Sequence, residues 1–216
     1  MRFETCTVGA FQENAYLIID ETTNAAVLVD PGAEPERLID MVRASGATLD
    51  AIWLTHAHID HIGAIAGIRR EWPVPVHLHP ADLPLYRRGE HQAALYGLAF
   101  EQPADPDVEL ADGTRVAVGS LTFDVLHTPG HAPGHVVFQR AHMVFGGDLL
   151  FAGSIGRTDL PLADPAAMER SLARICTLDP ATVVHPGHGP ATTVGRERAT
   201  NVFLRPATTA NGGISR

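Results

Sequence analysis

Thr55-His56-Ala57-His58-Ile59-Asp60-His61 follows the apolar run Ala51-Ile52-Trp53-Leu54 and precedes Ile62, Ile65 and Ile68, which share one face at helical spacing. The pattern predicts a buried strand that delivers three imidazoles and a carboxylate to a loop, with a helix starting at the loop's end. Strand ends facing helix starts are where open sheets carry their sites. His56 and His58 are two apart, so in an extended segment they point to the same side. Asp60 and His61 follow as the chain turns and offer a second set of donors. Imidazole nitrogen and carboxylate oxygen suit zinc, iron or manganese. A lone histidine is usually packed or solvated; four donors within six residues, set between strand and helix, argue for a metal.

Composition narrows the class. The chain has 216 residues, 45% of them hydrophobic, and a mean hydropathy of +0.02. That fits one domain with a real core, expected over residues 1–205, with an Ala/Thr/Gly/Asn-rich tail at 206–216 expected to be flexible. The formal charge of −9 argues against nucleic acid as a partner, since the basic residues cluster only at Arg69-Arg70 and Arg87-Arg88. All sixteen basic residues are arginines, whereas twelve histidines are far more than this length needs. Cys6 and Cys176 lie far apart and read as reduced thiols in a cytoplasmic protein. The start, Met1-Arg2-Phe3-Glu4, shows no apolar leader, and no run is long enough to span a membrane.

Residues 1–8, 14–20 and 25–29 read as strands, the last ending in Asp30-Pro31-Gly32. Glu34 to Ser45 reads as a helix, with Pro35 in its first turn and Gly46 past its end. No GxGxxG follows the first strand, so a dinucleotide fold is not indicated. A short strand at Val76–Leu78 carries His77 and His79, a rival HxH pair that lacks a close carboxylate except Asp82. Residues 82–107 show some helical periodicity and are expected to cover the site mouth as a lid. His91, beside Glu90, reads as solvated. Val116–Val118 and Leu121–His127 read as a hairpin around Gly119-Ser120.

Three further loops carry donors. His127-Thr128-Pro129-Gly130-His131-Ala132-Pro133-Gly134-His135 is a Pro/Gly-rich loop, which fixes the backbone so that one side chain can be aimed. Met143-Val144-Phe145-Gly146-Gly147-Asp148 is an apolar strand ending in a carboxylate, costly to bury unless it is paired or metal-bound. His142, at that strand's start, reads as exposed. His185-Pro186-Gly187-His188-Gly189 follows the last strand, Thr182–Val184. Between them, Gly153-Ser154-Ile155-Gly156-Arg157-Thr158-Asp159 offers Arg157 either as a bidentate partner for a substrate carboxylate or as one half of a surface Arg–Asp contact. Asp164-Pro165 caps a helix expected to run to about Thr177, with Met168, Leu172 and Ile175 inward. A short closing helix is expected over Arg196–Phe203.

The HxHxDH stretch, Thr128-Pro129-Gly130-His131, the Gly-Gly-Asp ending at Asp148 and His188 stand in the order of the metallo-β-lactamase superfamily, which this chain resembles. The resemblance implies a four-layer αβ/βα sandwich with metals at one edge of two facing sheets. It implies two divalent ions, zinc first with iron or manganese as alternatives. The first is held by His56, His58 and His131, the second by Asp60, His61 and His188, and Asp148 bridges. Asp30 is either a turn residue or, as in the superfamily, an orienting partner of a ligand histidine. His127, His135 and His185 are expected to be non-ligands.

Within the superfamily the chain looks most like the glyoxalase II group, in its short bacterial form without the C-terminal helical domain that binds glutathione. The implied reaction is hydrolysis of a hydroxyacylglutathione-type thioester, S-lactoylglutathione being the type substrate, by a metal-bridging hydroxide that Asp60 orients. Arg157 is the expected substrate-binding residue, and a small-molecule thioester the expected partner. The rival reading is a persulfide dioxygenase using one iron at His56, His131 and Asp148. A secreted β-lactamase is disfavoured by the missing leader.

Overall fold

The computed structural model describes residues 1–204, so the tail expected from 206 lies outside them. Strands β1 (Arg2–Val8), β2 (Glu13–Ile19) and β3 (Ala25–Val29) open the chain as antiparallel neighbours. Helix α1 (Pro35–Ser45) leads to β4 (Thr48–Trp53), which pairs parallel to β3. Helices α2 (Ile59–Ile62) and α3 (Ile65–Glu71) lead to β5 (Val76–Leu78); α4 (Leu83–Tyr86) and α5 (Gly89–Tyr96) lead to β6 (Val108–Glu109). Both strands extend the sheet in parallel, giving the order β1-β2-β3-β4-β5-β6.

The second sheet begins with an antiparallel run of β7 (Arg115–Val118), β8 (Leu121–His127), β9 (Val136–Arg140) and β10 (Met143–Gly147). A small hairpin, β11 (Leu150–Phe151) and β12 (Ser154–Ile155), precedes helix α6 (Pro165–Ile175). Strand β13 (Val183–Pro186) joins β10 in parallel, and β14 (Thr192–Thr193) and helix α7 (Val194–Thr200) close the unit. The order is β14-β13-β10-β9-β8-β7.

Strand alternation builds the layers. Successive side chains of a strand face opposite ways. Leu17, Ile19, Ala26 and Leu28 pack outward with Leu38 and Val42 of α1 and Ile65 and Ile68 of α3. Their neighbours Tyr16, Ile18, Val27 and Val29 face inward, onto Phe123, Val125, Phe138 and Phe145 of the second sheet. Val137 and Val144 turn to the far side, where α6 supplies Met168, Leu172 and Ile175. The result is the expected helix–sheet–sheet–helix sandwich. Each such side chain, fully buried, stabilises the fold by roughly 1.5–3 kcal/mol. The cap expected at Asp164 is present: its carboxylate accepts from the backbone N–H groups of Ala166 and Ala167.

The structure departs from the sequence reading just after the histidine stretch. One helix was expected through Ile62, Ile65 and Ile68, but it is broken between α2 and α3. A continuous helix would give the Ala64 N–H to the carbonyl of Asp60; it goes instead to the Pro31 carbonyl at 2.9 Å. Gly63 permits this approach, because a Cβ there would lie 2.3 Å from the Gly32 carbonyl oxygen. The loop after β3 is thus wedged against the loop after β4, and both carry site residues. The closing helix is also shorter than expected: α7 ends at Thr200, and Val202–Leu204 forms a separate 3-10 turn.

Residues 82–107 contain α4 and α5, and α5 is tied down rather than loose. The Gln92 side chain accepts from the Ile59 N–H at 3.1 Å and donates to the Ala57 and Leu85 carbonyls at 3.1 and 3.0 Å. Among the described residues no helix is long and apolar enough to cross a membrane. Both cysteines are free.

Candidate metal centre

Five chain segments meet at one edge of the sandwich, each just past the C-terminal end of a strand. Asp30 follows β3, the His56–His61 stretch follows β4, His131 lies in the loop after β8, Asp148 follows β10 and His188 follows β13. Potential ligand atoms of His56, His58 and His131 lie within 4.8 Å of one another, and those of Asp60, His61 and His188 do the same. Asp148 sits between the groups. Its Oδ2 is 3.3 Å from His131 Nε2 and 3.5 Å from His188 Nε2, and its Oδ1 is 3.5 Å from His61 Nε2. The structure therefore brings together every residue that the sequence reading named as a donor. Gly187 allows the last segment in, because a Cβ there would lie 2.4 Å from Asp148 Oδ1.

The donors are aimed from behind. The Thr55 hydroxyl donates to Asp30 at 2.6 Å and accepts from His56 Nδ1 at 3.0 Å. His61 Nδ1 donates to the same oxygen, Asp30 Oδ2, 3.0 Å away. His131 Nδ1 donates to the Arg157 carbonyl at 2.8 Å, and His188 Nδ1 to the Phe11 carbonyl at 3.1 Å. Each of these bonds turns Nε2 toward the centre. Asp30, His56 and His61 also form a donor group, but Asp30 already serves Thr55 and His61. It fits the orienting role expected of it rather than that of a ligand.

Three buried atoms make a cation the fitting occupant. His56 Nε2, His61 Nε2 and Asp148 Oδ1 have no hydrogen-bond partner. Leaving such groups unmet costs about 1–3 kcal/mol each. All three point into the space between the donor groups, and nitrogen and oxygen donors in this number hold zinc, iron or manganese. This is a metal-binding site of histidine and aspartate.

The charges are strongly coupled. Burial, then the neighbouring imidazoles, hold His56 well below its ordinary value, and burial with His131 holds His58 down at about 3, so both stay neutral and free to ligate. Burial opposes ionisation of Asp148, yet His61, His131 and His188 prevail and keep it far below the usual carboxylate range. Asp60 is likewise held ionised by His61 and His188 against its burial. Burial would lower His61, but Asp148, Asp30 and Asp60 outweigh it and raise the ring well above its ordinary value.

Two supporting residues were missed in the sequence. His135 was expected only to begin the next strand. It is fully buried, its Nε2 accepts from the Asp148 N–H at 3.0 Å, and its Nδ1 meets the Thr128 hydroxyl at 2.9 Å. Its lone pair is used, so it positions the carboxylate and is no donor to a metal. Asp82, read only as the one close carboxylate after His77 and His79, is fully buried and accepts from the N–H groups of Ala57 and Gly134. It clamps the His56–His58 loop to the His131 loop, and burial pushes its carboxyl up to about 6. A signal for each existed, a second histidine after Gly134 and a carboxylate after Pro80, but nothing in sequence showed the partners.

The remaining histidines lie outside the donor groups; His91, read as solvated, is exposed and lines the cavity above them. His77 lies beside Trp53 and His79 stacks on His127 at 4.1 Å, so the rival pair stays outside the donor groups. His127 donates from Nε2 to the Pro133 carbonyl. His185 packs among Phe3, Tyr16 and Phe145. His142 is exposed, as expected.

The centre forms the floor of a cavity of about 450 Å³, whose wall comes from α5, the Phe11 turn, the β11–β12 hairpin and residues 157–162. Arg157 lines it, but its fork already holds Asp159 through Nε and a terminal nitrogen, both at 2.7 Å. The surface Arg–Asp contact is present, and the backbone of Arg157 serves the site through His131.

The chain matches the Metallo-beta-lactamase superfamily over residues 8–188. It belongs to that superfamily, as both the sandwich and the donor set require. It is 36% identical to the hydroxyacylglutathione hydrolase GloC of Haemophilus influenzae, with 94% of this chain and 98% of that protein covered. Among solved structures, TTHA1623 in a di-iron-bound form is 50% identical with a TM-score of 0.87, over 93% of this chain and 100% of that one. The BLEG-1 B3 metallo-beta-lactamase is 37% identical with a TM-score of 0.89, over 95% and 100%.

Proposed function

We propose that this protein is a dinuclear metal-dependent thioester hydrolase of the hydroxyacylglutathione type. The observation that carries the reading is the pair of donor groups sharing Asp148, with unpaired buried atoms aimed between them. The likeness to GloC over nearly the whole chain supports the substrate class. His56, His58 and His131 would hold one ion, Asp60, His61 and His188 the other, and Asp148 both. Bound there, divalent ions supply Lewis acidity and lower the pKa of water toward neutrality. Zinc is the expected metal; the di-iron form of TTHA1623 supports iron as the alternative.

The chain's own groups do the rest. Hydrolysis adds water across the C–S bond, forming a carboxylate and releasing a thiol. Asp60 is partly open to the cavity and ionised, so it can accept a hydrogen bond from the attacking water and fix its direction. Asp30, Thr55 and His135 keep the donors from turning away. The thiolate is a good leaving group and needs no strong acid.

The test is metal content of protein purified without added metal, followed by turnover. Two ions per chain and cleavage of S-lactoylglutathione or a related thioester support the reading. One iron per chain, with oxygen consumed on glutathione persulfide, replaces it by the dioxygenase. Turnover of a β-lactam alone, the activity that the name of BLEG-1 carries, replaces it by a lactamase.

A further inference from the structure

Of the eight large apolar side chains exposed among the described residues, four gather at one place. Leu95 (68% exposed), Leu162 (56%), Tyr96 (49%) and Phe11 (38%) all line the cavity above the donors. The Phe11 and Tyr96 rings meet edge to face at 5.0 Å. Below them Leu85, Phe151 and Ile155 carry the apolar wall down to His58, His131 and His188. Single exposed apolar residues need no explanation, whereas a ring of them around a concave site marks ligand contact.

Above the donors, the polar lining is Arg88, His91, Gln92, Ser154 and Arg157. Arg157 is held by Asp159. Arg88 faces the same cavity and, among the described residues, has no ion-pair partner. A lactoyl group is small beside such a wall, which leaves room for a larger apolar arm on the acyl or the thiol side.

We infer that the cavity selects a thioester with a bulky apolar arm, aliphatic or aromatic, and an anionic group that Arg88 receives. The reaction class rests on the hydrolase reading above; the shape and chemistry of the cavity do not. Each methylene buried on this wall should raise kcat/KM about three- to fourfold until the space is filled.

Two substrate series test this on the zinc-loaded protein. One varies the acyl group on glutathione from acetyl to octanoyl and phenylacetyl; the other varies the thiol of a lactoyl thioester from glutathione to aliphatic mercaptans. A rise with chain length in the first places the apolar arm on the acyl side, and a rise in the second places it on the thiol. A flat or falling dependence in both overturns the inference. The double variant Leu95→Ser/Leu162→Ser should flatten the rising series. Val202→Ser, which removes an exposed apolar side chain outside the cavity lining, should leave it as it is. If no thioester is cleaved at all, the hydrolase reading fails by itself. The cavity inference then rests on calorimetry of metal-free protein with fatty acids. Octanoate binding at least tenfold tighter than acetate, weakened about fivefold by Arg88→Ala, supports it. Equal weak binding of the two acids overturns it.

Discussion

At the floor of the cavity, His56, His61, His131 and His188 each have one nitrogen fastened by a hydrogen bond, to Thr55, Asp30, the Arg157 carbonyl and the Phe11 carbonyl. At the rim, Leu95, Tyr96, Leu162 and Phe11 are exposed and held by van der Waals contact and chain connectivity. A hydrogen bond fixes direction to within tens of degrees, whereas an apolar contact tolerates sliding and exchange. The floor is therefore built for one chemistry. The rim can change its ligand with few consequences for the fold. Sequence reasoning located the floor residue by residue and reached the rim only as a lid expected over 82–107, for the same reason: oriented donors must be specific residue types, while apolar rims can be made from many.

Variants can break that contrast or sharpen it. The largest effect is expected from Asp148→Asn, which removes the carboxylate between the donor groups: activity should fall more than about 100-fold, and metal content should drop below two per chain by atomic absorption. Retention of both ions and full turnover would exclude the bridging role. Asp30→Ala frees both Thr55 and His61, and metal affinity by competition with a chelator should weaken about 10–100-fold. An unchanged affinity would mean that the floor is held by packing after all.

Asp82→Ala leaves the Ala57 and Gly134 N–H groups unmet, so denaturant unfolding should show a loss of about 2–4 kcal/mol. Asp82→Asn keeps one good acceptor and should recover about half of it. A proton balance probes the charge coupling. Metal-free protein holds a proton on His61, because Asp148, Asp30 and Asp60 outweigh its burial. Zinc needs that nitrogen unprotonated, so binding at neutral pH should release protons and affinity should fall as the pH falls. Calorimetry in buffers of different ionisation enthalpy reads the number released; none would place the proton elsewhere. The smallest effect is expected from Arg157→Ala. With the fork held by Asp159 on the surface, KM for thioesters should change less than about twofold.

Much of the fold was legible because its signals are local. The alternation at Tyr16–Ile19 and Val27–Val29, the Pro35 start and Gly46 stop of α1, and the Asp164 cap of α6 each lie within a few residues of what they determine. The break between α2 and α3 was not legible, since its cause is the carbonyl of Pro31, more than thirty residues upstream. Residues 82–107 were expected as a lid; the periodicity was there, but the anchor through Gln92 to Ala57 and Ile59 spans 35 and 33 residues. Arg157 offered two readings in sequence. The Asp159 contact needed the folded loop to bring that carboxylate, two residues away, within reach of its fork.

By itself the sequence determined which faces are buried and where donors crowd, while the layer architecture and the full ligand list were what the resemblance to the superfamily implied. Hydrophobic periods of two and 3.6 fix which faces are buried, and imidazoles and carboxylates crowded at strand ends have few uses other than binding a cation. Only the tertiary structure decided the part each histidine plays. His131 and His135 sit in one loop and look alike in sequence, yet one points its lone pair at the centre and the other spends it on the Asp148 N–H. An imidazole's role is set by what its second nitrogen meets, and those partners come from far along the chain: 26 residues for His131, 31 for His61 and 177 for His188.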